Sequence, residues 1–421
     1  MTPPSLSEMV RVFGRIGLLS FGGPAAQIAL MHRELVDERP WLDEAQFLNA
    51  LSFCMLLPGP EAMQLATYAG WRLRGLRGGL IAGLLFVLPG ACVVLALSVL
   101  YGFYGTLPLT EVLFLGIKCT VVVIVLQALL NVARKALQGP GHWLVAGLSF
   151  AAIFLFNAPF PAIIAIAAGF GFLSARGAAS HADAAPAGVP PARTLRTVAT
   201  WGALWAAPIA CAALAGWPLL TEIGLFFSKL AIVTFGGAYA VLAYMTQAVV
   251  VDHGWLTTAQ MMDGLGLAET TPGPLILVTQ FVGYQAGAAA GGVALGLAAA
   301  LMVLWVTFTP CFLWIFAGAP YIEWIAARPA LAGALKAITA AVVGVILNLS
   351  IWFALHLYFT DLALLQFGPA RLLWPAAGSF DGLALALTAL AALLLAGLRM
   401  SLLAALPLMA LAGAGALAVA G

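Results

Sequence analysis

Residues 13–60 read FGRIGLLSFGGPAAQIALMHRELVDERPWLDEAQFLNALSFCMLLPGP, and residues 227–274 repeat the same plan without a gap. A shift of 214 positions places Phe13 on Phe227 and Phe21-Gly22-Gly23 on Phe235-Gly236-Gly237. The same shift places Trp41-Leu42 on Trp255-Leu256 and Pro58-Gly59-Pro60 on Pro272-Gly273-Pro274. Sixteen of the 48 aligned positions are identical. Shared composition does not align Trp, Gly and Pro in this way, so the chain is a duplication.

The two copies are embedded in an apolar chain. Of 421 residues, 63% are hydrophobic and 8% are charged, where soluble domains carry about 25% charged residues. Residues 79–103 and 291–321 contain no charge at all, and roughly 20 apolar residues cross a hydrocarbon core of about 30 Å. The protein is therefore read as an all-α polytopic membrane protein. A net charge of +2 gives no basic surface for nucleic acid. The five cysteines stand singly in apolar segments and the five histidines form no cluster, so packing thiols are expected and no metal. No cleaved signal peptide is read at the N-terminus. Neither GxxxxGK[ST] nor HExxH occurs, so no cofactor and no enzymatic activity are expected.

Helices are expected near 7–35, 44–71, 79–104, 109–132, 143–156 and 159–174 in the first copy. A lone segment follows at 198–217, then helices at 222–250, 259–286, 290–317, 331–358, 380–397 and 400–420. The expectation is thus about 13 membrane segments, with 10–13 as the range. The chain divides into a repeat over 1–173, a hydrophilic linker over 174–197, a connecting membrane helix over 198–220 and a second repeat over 221–421. An odd connecting helix turns the second copy over. Arg72, Arg74 and Arg77, then Arg134 and Lys135, then Arg176, Arg193 and Arg196 lie in alternate loops, as cytoplasmic loops do under the positive-inside rule. Two homologous halves arranged as inverted repeats with broken helices are the expected architecture.

Four Gly/Pro interruptions mark the candidate site. Gly22 and Gly23 break the first helix, and Pro58, Gly59 and Pro60 the second; Gly236, Gly237, Pro272, Gly273 and Pro274 repeat them. Proline removes a helix donor, and a helix restarting after it presents free N–H groups and a positive dipole end to an anion. Paired breaks in two halves point to a transporter's binding site. Fixed cations form a second set: Arg15 and its aligned partner Lys229, Lys118 in GIKCT and Lys336 in ALKAIT. A cation in the span is costly and so usually functional or paired, with snorkelling to the interface as the bland alternative. A dianion with four equivalent oxygens suits such a cage. Glu61 and Glu269 are coupling candidates, although Glu61 can equally cap a helix start. Thr270, Thr271, Gln64 and Gln280 offer donors beside the breaks. His32 to Arg39 reads as a solvated, mixed-charge interfacial turn.

FGGPAAQIALMHRELVDERPWL, MLLPGPEAMQLATYAGW and GLLFVLPG, with KLAIVTFGGAYAVLAYM and AETTPGPLILVTQFVGYQAG in the second copy, resemble the chromate ion transporter family. The resemblance is to its long-chain, two-domain type and covers all but the linker. It implies export of chromate from the cytoplasm, chromate resistance, sulfate as a structural mimic, and the plasma (inner) membrane of a prokaryote. It carries over to the FGG and PGP positions and Glu61. Ala238 stands in place of Pro24, and Leu275 in place of Glu61, so a role needing both copies of those residues does not follow. Uptake of sulfate or another oxyanion, and a non-transporting membrane scaffold or sensor, remain the alternatives. The expected partners are chromate, sulfate and the lipid bilayer. Oligomeric state does not follow from the sequence, and a homodimer stays open.

Overall fold

The computed structural model describes residues 4–105, 107–175, 190–235, 238–322 and 328–420. Most of the linker therefore lies outside the described residues, as do Gly236 and Gly237. The first copy opens with α1 (Leu6–Leu19) and α2 (Gly23–His32), followed by a π turn, Arg33–Asp37. It continues with α3 (Glu44–Leu56), α4 (Glu61–Tyr104), α5 (Pro108–Ala136), α6 (Pro140–Phe156) and α7 (Phe160–Ser174). Helix α8 (Pro191–Leu214) leads into α9 (Pro218–Val233), α10 (Ala238–Gln247) with a π turn at Ala248–Asp252, and α11 (Thr258–Thr270). A 3₁₀ turn, Leu275–Leu277, precedes α12 (Val278–Gly318), and α13 (Pro329–Tyr358) follows. The chain ends with a hairpin of β1 (Leu362–Phe367) and β2 (Ala370–Pro375), then α14 (Gly382–Ala392) and α15 (Leu402–Ala420).

The expected breaks within the described residues are real interruptions. The helix expected over 7–35 is two helices, parted where Gly22 and Gly23 adopt φ 83° and 81°. The helix expected over 44–71 is parted at Gly59, φ 117°. Helix α3 has 13 residues, about 20 Å at 1.5 Å per residue, too short to cross a bilayer alone. Helix α4 also folds back on itself, at Arg74 and Gly75, where φ and ψ leave the helical region. Gly70 and Gly78 meet across that fold, each so close to the other's carbonyl that a Cβ would lie 2.1–2.3 Å from it. Helix α12 folds in the same way at Gly291 and Gly292. Among the described residues, five segments are long and apolar enough to cross a membrane: Glu61–Tyr104, Pro108–Ala136, Pro191–Leu214, Leu275–Tyr321 and Pro329–Tyr358.

A short hairpin adds to the helical architecture expected from the sequence. LALLQF and ARLLWP pair antiparallel, with Leu364 opposite Leu373 and Gln366 opposite Arg371. Gly368, at φ 59°, opens the two-residue turn, the position where glycine is favoured. A six-residue apolar run is too short for helical periodicity to separate it from a loop or strand.

Two compact units form, and each draws on both copies. Unit 1 contains Met1–Val99, Ser174–Val241 and Thr271–Ala332; unit 2 contains Leu100–Leu173, Leu242–Thr270 and Gly333–Gly421. In unit 1, α12 packs on α8 and α9. In unit 2, α5 is the central element, covered by α11, α14 and α15. Gly116 lets α5 approach the Met409 carbonyl so closely that any side chain would clash.

Candidate functional site

The site in unit 1 begins with two hydroxyl residues at helix ends. Ser20, just past α1, donates its hydroxyl to the Ile16 carbonyl at 2.6 Å; Thr234, just past α9, donates to the Leu230 carbonyl at 2.7 Å. Their own carbonyls accept from the opposite copy. Gly59 N–H donates to Thr234 O, and Gly273 N–H donates to Ser20 O, both at 2.8 Å. The shift of 214 maps every one of these atoms onto its counterpart, so the PGP of each copy is tied to the FGG break of the other. The amides of Gly59 and Gly273 are therefore not among the free donors expected at the breaks.

The next turns bring helix starts to the same place. Helix α4 begins at Glu61, and Gln64 N–H donates to Pro60 O at 3.1 Å. Around them lies a cavity of about 20 Å³, lined by Pro24, Gln27, Gly59, Pro60, Glu61, Ala62, Thr234, Ala238 and Pro274 to Ile276. These residues belong to the starts of α2, α4, α10 and the 3₁₀ turn. Four helical N-termini, the positive ends of their dipoles, thus face one point. Glu61 is half-buried at the first position of α4, where a carboxylate offsets the dipole.

Of the expected residues, Gly59, Pro60, Glu61 and Pro274 line the cavity. Pro58 O accepts from Gln64 Nε2 at 2.7 Å, and Gln64 is fully buried with Oε1 unpartnered among the described residues. Gln280 is buried with Oε1 likewise unpartnered. Thr271 is buried, and Thr270 donates to Leu267 O at 2.7 Å. Glu269 is buried near the end of α11. None of the four cations lines the cavity. Arg15 is half-exposed and pairs with Glu34 at 3.4 Å. Lys229 and Lys336 are exposed. Lys118 lies in unit 2, where its Nζ is 3.2 Å from Asp263 Oδ1; Asp263 Oδ2 accepts from the Tyr101 hydroxyl at 2.7 Å.

The turn at 32–39 is less solvated than expected. Glu34 is fully buried and held by Arg39 at 2.5 Å as well as by Arg15. His32 bonds Glu44 at 2.7 Å and Asp37 at 3.3 Å. The bond to Glu44, aided by the charges of Glu44 and Asp37, raises the His32 pKa against the opposing effect of burial.

Sequence reading missed Gln27, Ser20, Thr234, Asp263 and Tyr101. Gln27 donates to Gly273 O at 2.8 Å and to Ser20 O at 3.3 Å, bridging the two breaks from one side only, since position 241 is valine. The signals were present: a hydroxyl directly before each FGG, a glutamine in the apolar turn after FGGP, and an aspartate in MMDGLGLA.

Duplicated broken helices, apolar spans and converging helix starts define a multi-pass membrane transport protein rather than an enzyme. The family model described as "Chromate transporter" matches residues 7–172 and 221–418, and the chain belongs to that family. It is 30% identical to the "Chromate transport protein" of Cupriavidus metallidurans, over 81% of each chain. It is 33% identical to the "Chromate transport protein" of Pseudomonas aeruginosa, over 82% of this chain and 80% of that one. The "Probable chromate transport protein" of Synechococcus elongatus is 30% identical over 81% and 83%. No solved structure matches the chain.

Proposed function

We propose that the protein exports chromate from the cytoplasm by alternating access between two inverted halves, with the anion held where the four helix starts converge. The observation that supports this reading is the reciprocal exchange of Gly59→Thr234 and Gly273→Ser20 hydrogen bonds, a pattern that an approximate twofold between the copies would produce. Inverted repeats with broken helices meeting at one point are the architecture of carriers that rock around a fixed site. Amides and dipoles supply the charge complementarity.

The driving force is the membrane potential. Moving a dianion out of a negative interior gains roughly 4.6 kcal/mol per 100 mV, more than a thousandfold in concentration at about 1.4 kcal/mol per tenfold. Glu61 shapes the site and carries no obligatory proton. The test is chromate flux in proteoliposomes under a potassium diffusion potential at equal pH on both sides. Flux that rises with the potential is expected. Flux indifferent to the potential but driven by a pH step would overturn the electrogenic mechanism, and sulfate moving in preference to chromate would overturn the substrate.

A further inference from the structure

Unit 2 contains a second cavity, of about 350 Å³, that transport as proposed does not use. Its size is within the roughly 300–1,000 Å³ typical of ligand pockets. The walls come from α6, the end of α10, α13 and the hairpin, and are mostly apolar: Phe154, Val251, Leu349 and Leu355 among them. A small oxyanion does not suit such walls, because it would surrender its hydration to carbon.

The polar side chains that line it are Asn157, Thr246, Gln247, Asn348 and Arg371, with Gln247 donating to Asn157; Thr246 and Arg371 bear on a ligand. Thr246 is 1% exposed, and its hydroxyl has no partner among the described residues. Other buried threonines of the unit, Thr120 and Thr388, donate to the carbonyl four residues earlier at 2.8 Å. A buried hydroxyl left without a partner costs about 1–3 kcal/mol, a cost that a ligand acceptor removes. The second group is Arg371 on β2, which lines the cavity, is itself exposed, and makes no ion pair among the described residues.

The hairpin identifies the surroundings. Phe367 and Trp374 on it, and Phe380 just after it, are each more than half exposed, as aromatic side chains are at the membrane–water boundary. Such a boundary would put Arg371 at headgroup depth beside the apolar slot. Basic pockets between membrane helices take anionic lipid heads. We propose that this cavity binds one anionic phospholipid, its phosphate on Arg371, an ester carbonyl accepting from Thr246, and an acyl chain between α6, α10 and α13.

The experiment uses the full chain, reconstituted with equal phosphatidylglycerol and phosphatidylcholine, extracted in mild detergent, and analysed by native mass spectrometry. The wild type is expected to retain about one phosphatidylglycerol per chain, in preference to phosphatidylcholine. Arg371→Gln should lower that retention about tenfold, the equivalent of one charge-assisted contact. Ala243→Phe, which fills the cavity, should remove both lipids. Thr246→Val provides a milder variant if either of these fails to fold, and should weaken retention without changing headgroup preference. Equal retention of the two lipids by the wild type would overturn the proposal. So would unchanged retention in the foldable variants, or a free fatty acid in place of a phospholipid.

Discussion

Valine at Gly59 or Gly273 meets two obstacles at once. Both glycines have positive φ, 117° and 92°, which costs a branched residue about 1–3 kcal/mol. A Cβ at Gly59 would also lie 2.9 Å from Gln64 Nε2 and 3.0 Å from Cys311 Sγ. Gly59→Val and Gly273→Val are therefore expected to abolish chromate flux and to lower the melting temperature, with Gly59→Ala intermediate on both measures. The glycines were legible from the sequence as breaks. Their partners were not, because Ser20 and Thr234 lie more than 170 residues away and only folding brings them together. Lys118 shows the same limit. Its position inside an apolar helix marked it as functional or paired, and the structure pairs it. Removing one member of a buried pair costs about 3–5 kcal/mol through the charge left behind. Lys118→Ala should thus destabilise the protein strongly in detergent unfolding, and adding Asp263→Asn should recover most of the loss. Equal stability of the single and double variants would show that the pair is not holding unit 2 together.

Between α2 and α3, the charged turn links pH to stability. His32 has a raised pKa because Glu44 and Asp37 favour its charged form. A raised folded-state pKa contributes stability that is complete below the unfolded value, 6.5, and is lost as pH rises through the higher folded value. His32→Gln should flatten the fall in melting temperature over that interval while leaving alkaline stability nearly unchanged. A slope identical to wild type would exclude His32 as its source. Elements were legible unevenly. Apolar runs located the spans, the arginines at 72, 74 and 77 separated the two helices that meet at the Arg74–Gly75 fold, and the Gly/Pro interruptions marked the half-helices. The capping boxes at Asp43/Gln46 and Thr257/Gln260 occupy equivalent positions in WLDEAQ and WLTTAQ, a readable pattern that fixes where α3 and α11 begin. The hairpin escaped because its strands are short.

For the whole molecule, duplication was plain from the sequence, whereas the interleaving of the copies into two units depends on long-range packing that no local pattern records. The inverted-repeat proposal puts Trp41 and Trp255 on opposite sides of the membrane, with the N-terminus and linker on the cytoplasmic side. Single cysteines beside each tryptophan, in a background without the five native cysteines, should label from opposite sides with an impermeant thiol reagent. Labelling of both from one side would end the inverted-repeat proposal. The exchanged hydrogen bonds carry a further implication for how such a chain can change over time. Each copy keeps the other's glycine amide and helix-end carbonyl satisfied, so neither is a spare. Loss or divergence of one partner would leave its counterpart's backbone wanting, which makes the two ancestral units joint custodians of a single site rather than redundant duplicates.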